Sequence, residues 1–282
     1  MLNLSKRKVV ILMGVLAVAL IAVMIVMPAG TEAIVDSEGQ LIEGSIAEIE
    51  EIKLGGVDQW LVIRGEDRNN PVLLMLSGGP GSSEMGRFLK FNQDLEKNFT
   101  VVIWEQRGCG KSFSAASDKE SLTVEQYVAD VNELSEYLIT RFNKEKIYLL
   151  GHSWGTIIGT LAVKEKPENF HAYIGAAQMV NVKETDNYMY NFVLEAAKNK
   201  GDHKKVDKMI NVGPPPYYGE GMLKKYLYFL TSYADYYQAE NPYVEKDSSW
   251  FNPLTMFWFE EYTLLDKINF FRSMLHTFPI VY

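Results

Sequence analysis

The stretch Lys146-Ile147-Tyr148-Leu149-Leu150-Gly151-His152-Ser153-Trp154-Gly155-Thr156 decides the reading of this chain. A short apolar run leads into a G-x-S-x-G pentapeptide, and a helical pattern follows as far as Lys166, where Pro167 stops it. A strand that turns sharply into a helix at a serine needs small residues on either side, because the turn residue takes a strained backbone angle and neighbouring Cβ atoms would collide. Such a turn lifts the Ser153 hydroxyl above the end of the sheet, beside the free N–H groups of the helix start. That makes Ser153 the candidate nucleophile.

Working outward, more short apolar runs appear at 71–76, 101–104 and 171–176, with a helical stretch at 122–142 that has Thr123 in N-cap position. Continuous apolar runs separated by helices predict a parallel sheet covered on both faces. Residues 42–52 and 59–64 flank Leu54-Gly55-Gly56-Val57-Asp58, the pattern of an antiparallel hairpin closed by a glycine turn. After about residue 180 the strand signal ends, and 181–282 read as helical and aromatic, interrupted by Pro214-Pro215-Pro216.

Two glycine-rich segments flank the early strands. Ser77-Gly78-Gly79-Pro80-Gly81 directly follows the run 71–76. Acyl transfer needs backbone N–H donors aimed at a developing oxyanion, and bare glycine backbone can approach it closely. The candidate donors are the N–H of Trp154, next after the serine, and that of Gly79, with Gly78 adjacent. Trp104-Glu105-Gln106-Arg107-Gly108-Cys109-Gly110-Lys111-Ser112 follows the next run. Cys109 is the one cysteine. It rules out an intrachain disulfide and a cysteine-rich zinc site, and it reads as a small packed residue rather than a nucleophile.

These three segments, in this order, resemble the proline iminopeptidase group of α/β hydrolases, whose usual patterns are H-G-G-P-G, D-Q-R-G-x-G-x-S and G-x-S-W-G. Ser77 stands here where His is usual, and Glu105 where Asp is usual. The resemblance implies an α/β-hydrolase fold, a mostly parallel central sheet with an inserted helical cap. It also implies serine hydrolase chemistry of aminopeptidase type on a small peptide. In that group the cap supplies acidic residues that bind the substrate amine; Phe257-Trp258-Phe259-Glu260-Glu261-Tyr262 resembles the cap's Trp-x-x-Trp-Glu stretch, so the carry-over falls on Glu260, with Glu261 beside it. An esterase or lipase-like hydrolase of the same fold is the alternative.

A serine needs a base, and the base a carboxylate, and this fold places both after late strands in the order Ser, Asp or Glu, His. The four histidines are His152, His171, His203 and His276, and none follows a late strand. The last strands and the triad acid and base are expected to be absent, so the chain reads as a fragment, or else as a short form that is inactive or completed by another chain. The absent base also motivates a reading from another class, a non-catalytic membrane-tethered binding protein.

Residues 9–27 carry no charge and follow Lys6-Arg7-Lys8. At about 1.5 Å per helical residue, their length nearly matches a hydrocarbon core of about 30 Å. With the basic cluster held inside, the expected organisation is a cytoplasmic tail 1–8, a transmembrane anchor 9–28 and a linker 29–34. An extracytoplasmic hydrolase core 35–180 and a helical cap 181–282 complete it. A cleaved signal peptide, followed by secretion, is the competing reading. The net charge is −8, and without the N-terminal basic cluster the remainder is more acidic still. This argues against a nucleic-acid partner. No motif indicates a metal or an organic cofactor.

Overall fold

The apolar runs form one mixed sheet of six strands in the computed structural model, which describes residues 11, 13–15, 29–116, 118–219, 221–240 and 259–281. The strands are β1 (Ile46–Leu54), β2 (Val57–Gly65), β3 (Val72–Leu76), β4 (Thr100–Glu105), β5 (Ile147–His152) and β6 (Phe170–Ala176), in the order β1-β2-β4-β3-β5-β6. β3 pairs parallel with β4 and β5, and β5 with β6, while β1–β2 and β2–β4 are antiparallel. The hairpin turns on Gly55 and Gly56, with φ of +52° and +78°, the mirror-image turn geometry that suits the twist of the two strands.

Successive side chains of a strand point to opposite faces, and the buried residues divide accordingly. Leu74, Leu76, Val102 and Trp104 face one side, where α2 (Val124–Arg141) and α3 (Trp154–Glu165) cover them. Met75, Val101 and Ile103 face the other, under α1 (Met85–Phe91). Thr123 caps α2 as expected, its Oγ1 accepting the Gln126 N–H at 3.2 Å. α3 begins at Trp154, directly after the serine, two residues before the reading from sequence placed it.

The region beyond residue 180 packs in two places rather than as one helical unit. α4 (Val182–Asn199), α5 (His203–Val212) and α6 (Met222–Glu240) bury Val193, Met209 and Phe229 against one another. α7 (Leu264–His276), followed by the short α8 (Phe278–Val281), returns to the sheet, and Phe270 and Tyr262 join Met75 and Phe88 there. Hydrogen bonds hold α7 in place: Gly110 N–H donates to Ser273 Oγ at 3.1 Å, and Thr277 Oγ1 to the Gly108 carbonyl at 2.8 Å.

The linker expected at 29–34 is docked on the body of the protein. Thr31 Oγ1 donates to Glu261 Oε1 at 3.1 Å and accepts from Arg64 Nη1 at 2.7 Å, Gly30 N–H donates to the Glu260 carbonyl at 3.1 Å, and Ile34 is buried. The expected anchor, 9–28, lies outside the described residues apart from Ile11 and Met13–Val15, which are helical. Among the described residues no helix is long and apolar enough to cross a membrane.

Candidate active site

Leu76, the last residue of β3, pairs in register with Gly151 near the end of β5. The chain after β3 leads on to β4 on one side, and β5 lies on the other. The sequence order of the strands thus reverses at β3, and in open α/β sheets the carboxyl ends of strands at such a reversal form a crevice. Ser77-Gly78-Gly79-Pro80-Gly81 and Ser153 leave the sheet side by side into it.

Ser153 has φ +49° and ψ −118°, a conformation that costs a non-glycine residue about 1–3 kcal/mol and needs enforcement by its surroundings. The two flanking glycines allow it. A Cβ at Gly151 would lie 2.7 Å from the Gly155 carbonyl oxygen, and one at Gly155 would lie 2.1 Å from that of Leu76. Ser153 N–H donates to the Ala176 carbonyl at 3.0 Å, which ties the turn to the end of β6. Trp154 opens α3, so its N–H is one of the donors that a helix start leaves without an intrahelical acceptor.

The second glycine-rich segment acts as a brace. Trp154 Nε1 donates to Gln106 Oε1 at 3.1 Å, and Gln106 Nε2 donates to the Ser77 carbonyl at 2.9 Å. One side chain thus spans the serine turn and the loop after β3. Arg107 is buried and points the other way, donating to Asp130 through Nε at 2.9 Å and Nη2 at 3.0 Å. Glu105 is fully buried among Ser83 Oγ, Tyr262 Oη at 2.7 Å and the Lys111 N–H at 3.1 Å. Burial pushes its carboxyl up, against the pull of these three hydrogen bonds. Cys109 is buried, and burial together with the charge of Glu105 raises its thiol well above the ordinary range. That is the opposite of an activated thiolate.

A cavity of about 210 Å³ opens over the serine. Gly78, Gly79 and Ser153 form its floor, α6 contributes Leu223, Tyr226, Leu227 and Leu230, and Met274 and Phe278 close one side. Its charged lining is Glu84, Arg87 and His152. Glu84 Oε2 lies 2.9 Å from His152 Nδ1 and accepts the Gly78 N–H at 2.8 Å. Burial pushes the Glu84 carboxyl up, but the hydrogen bond and charge of His152, the Gly78 N–H and the charge of Arg87 outweigh it and hold the group below its ordinary value. The Glu84 hydrogen bond raises His152 above the ordinary imidazole value, against partial desolvation.

The structure therefore brings Ser153 and Gly79 to one cavity, with Trp154 at the helix start behind the serine. Glu260 and Glu261 are not part of its lining. Glu260 is exposed, and Glu261 is drawn to Thr31 and, through its carbonyl, to Lys111 Nζ at 3.1 Å. The aromatic residues 257–258 that prompted the carry-over lie outside the described residues. Glu84 is the cavity's carboxylate, and reading the sequence did not single it out, since its partner His152 is 68 positions away. His171, His203 and His276 lie outside the lining, and Ser153 Oγ meets Met179 Sδ at 4.0 Å.

Comparison with known proteins bears on the fold. The alpha/beta hydrolase fold family matches residues 71–252. A probable aminopeptidase, YbaC of Bacillus subtilis strain 168, is 37% identical over 156 residues, 55% of this chain and 49% of that protein. A proline iminopeptidase of Lactobacillus helveticus is 31% identical over 121 residues, 42% of this chain and 40% of that protein. The chain thus spans half or less of the length of these curated relatives. Among solved structures, a proline iminopeptidase-related protein from Thermus thermophilus superposes with a TM-score of 0.46 at 21% identity, covering 70% of this chain and 72% of that one. The family match takes in the loop after β3, the serine turn and α4 to α6 together, and the chain belongs to the alpha/beta hydrolase fold family.

Proposed function

We propose that this chain carries the nucleophile of a serine hydrolase that removes the N-terminal residue from small peptides, with Ser153 in that role. The observation that carries the reading is the strained Ser153 turn, which opens into a cavity beside a glycine loop. Strain of this kind persists where the surroundings impose it, as at catalytic centres. The peptide preference rests on the relatives, which bear the names aminopeptidase and proline iminopeptidase.

In this reading Ser153 Oγ attacks the carbonyl carbon of the first residue and gives up its proton to a base. The carbonyl oxygen becomes an oxyanion held by the N–H groups of Gly79 and Trp154. Collapse of the tetrahedral species breaks the C–N bond, the amine leaves with a proton, and water then hydrolyses the acyl-enzyme. The side chains of α6 and Met274 offer the acyl group an apolar wall. Among the described residues no histidine hydrogen-bonds to Ser153 Oγ. This favours a second reading, a hydrolase-like cleft that binds without turnover.

A fluorophosphonate probe separates the two. Labelling of the wild-type protein that disappears in Ser153→Ala supports the nucleophile, and absence of labelling supports the binding reading. Aminoacyl anilides with a free amine should be cleaved faster than their acetylated counterparts. Equal rates, or a preference for simple esters, would point to an esterase. The uncharged segment 9–27 behind Lys6-Arg7-Lys8 supports an anchor that holds the domain outside the cytoplasm. Retention in the membrane pellet after an alkaline carbonate wash tests it, and release by that wash would count against it.

A further inference from the structure

We infer that Glu84 is a positioning residue for the glycine loop: it fixes which loop amide faces Ser153. This rests on the reading of Ser153 as nucleophile. Two adjacent amides, Gly78 and Gly79, lie in the loop after β3, and both line the cavity. Glu84 Oε2 accepts the Gly78 N–H at 2.8 Å. That amide is thereby committed to a carboxylate, and Gly79 is left as the donor from this loop.

The clamp is built from three directions. Glu84 N–H donates to Ser77 Oγ at 3.3 Å, so the residue is anchored at the root of the loop it holds. His152, from the end of β5, places Nδ1 2.9 Å from the same Oε2 oxygen, and the charge of Arg87, in the first turn of α1, acts on the same carboxyl. Facing a carboxylate, Nδ1 carries the proton and donates. Glu84 therefore links the loop after β3 directly to the residue that precedes the nucleophile. Gly78 is enclosed between them: a Cβ there would lie 3.3 Å from His152 Nδ1 and 3.4 Å from both Glu84 Oε2 and Ser153 Cβ. Three of the five loop residues 77–81 are glycine, so an acceptor of the right reach that holds one loop amide fixes the path of a backbone that is otherwise free to adopt several.

The experiment compares reach with charge in the full chain. Glu84→Gln keeps an oxygen for the Gly78 N–H but loses the charge. Glu84→Asp keeps the charge but is one methylene too short. Two quantities are read, the fluorophosphonate labelling rate of Ser153 and the hydrogen exchange of the peptide containing residues 77–82. The clamp predicts that Glu84→Gln labels within a few-fold of wild type with unchanged exchange. Glu84→Asp should label about 10- to 100-fold more slowly, less than the loss expected from deleting an oxyanion donor outright, and exchange faster in this peptide. Both variants retain a polar group of similar size, so folding is not the variable. Equal labelling and exchange in the two variants, or a slower Glu84→Gln, overturns the assignment. If wild type itself does not label, the hydrolase reading fails, while the exchange order of the two variants still decides the clamp.

Discussion

Gly155 lies so close to the end of β3 that a Cβ at its position would be 2.1 Å from the carbonyl oxygen of Leu76. The obstacle is backbone, which cannot rotate away, so the last glycine of the pentapeptide is fixed by the approach of α3 to the sheet. Gly155→Ala is expected to lower stability by at least about 3 kcal/mol, the upper end of ordinary overpacking, or to prevent folding. Urea unfolding of the variant beside wild type measures it. A change below about 1 kcal/mol would mean that α3 can move off the sheet.

Asp130 receives Arg107 through both carboxylate oxygens, and Gln59 Nε2 at 2.9 Å and Gln126 Nε2 at 2.8 Å as well. Both members of the ion pair are buried. Removing one partner leaves the other charge uncompensated, so Asp130→Ala should cost about 3–5 kcal/mol. The double variant Asp130→Leu with Arg107→Met should cost much less than the sum of its single changes. Additive costs in the double-mutant cycle would show that the pair is not coupled.

The Glu84–His152 contact sets a pH window. Glu84 is held below its ordinary value, so its contribution to stability is present above the unfolded carboxylate value and is lost as pH falls through the lowered one. His152 is held above its ordinary value, so its contribution is complete below the unfolded imidazole value and is lost as pH rises through the raised one. NMR titration of the His152 ring should show an elevated midpoint in wild type that moves down in Glu84→Gln. An unmoved midpoint would place the cause elsewhere.

Arg64 joins the docked linker to the core, reaching Glu96 at 2.9 Å, Thr31 Oγ1 at 2.7 Å and the Glu32 carbonyl. Arg64→Met strands the buried Glu96 and frees the linker together, at an expected cost of about 3–5 kcal/mol. Thr31→Val should cost only about 1 kcal/mol. Limited proteolysis should cut ahead of residue 35 faster in both, and more so in Arg64→Met. Cleavage as slow as in wild type would show that other contacts hold the linker.

The parts legible in the sequence are those whose cause is local. The serine turn needs glycines within two positions of Ser153, and the hairpin needs positive φ at Gly55 and Gly56. β3 and β4 are buried on both faces as their apolar runs predict, whereas β6, read the same way, lies at the sheet edge and is largely exposed, and Thr123 caps α2 because it directly precedes it. Gln106 and Arg107 were legible as part of a motif but not in their separate tasks, one bracing the serine turn and the other pairing with Asp130. Those partners come from elements far along the chain, and no periodicity announces them.

By itself the sequence determined the strained serine, the glycine loop beside it and the covered strands β3 and β4, because steric limits on backbone angles and the alternation of side chains act over a few residues. Only the tertiary structure decided that Glu84 is the acid in the cavity, that Glu260 and Glu261 face the linker, and that the helices beyond residue 180 divide between a separate cluster and the sheet. Those outcomes depend on where whole elements come to rest, and that is set by the packing of apolar faces across the molecule rather than by the residues at either end of any one contact.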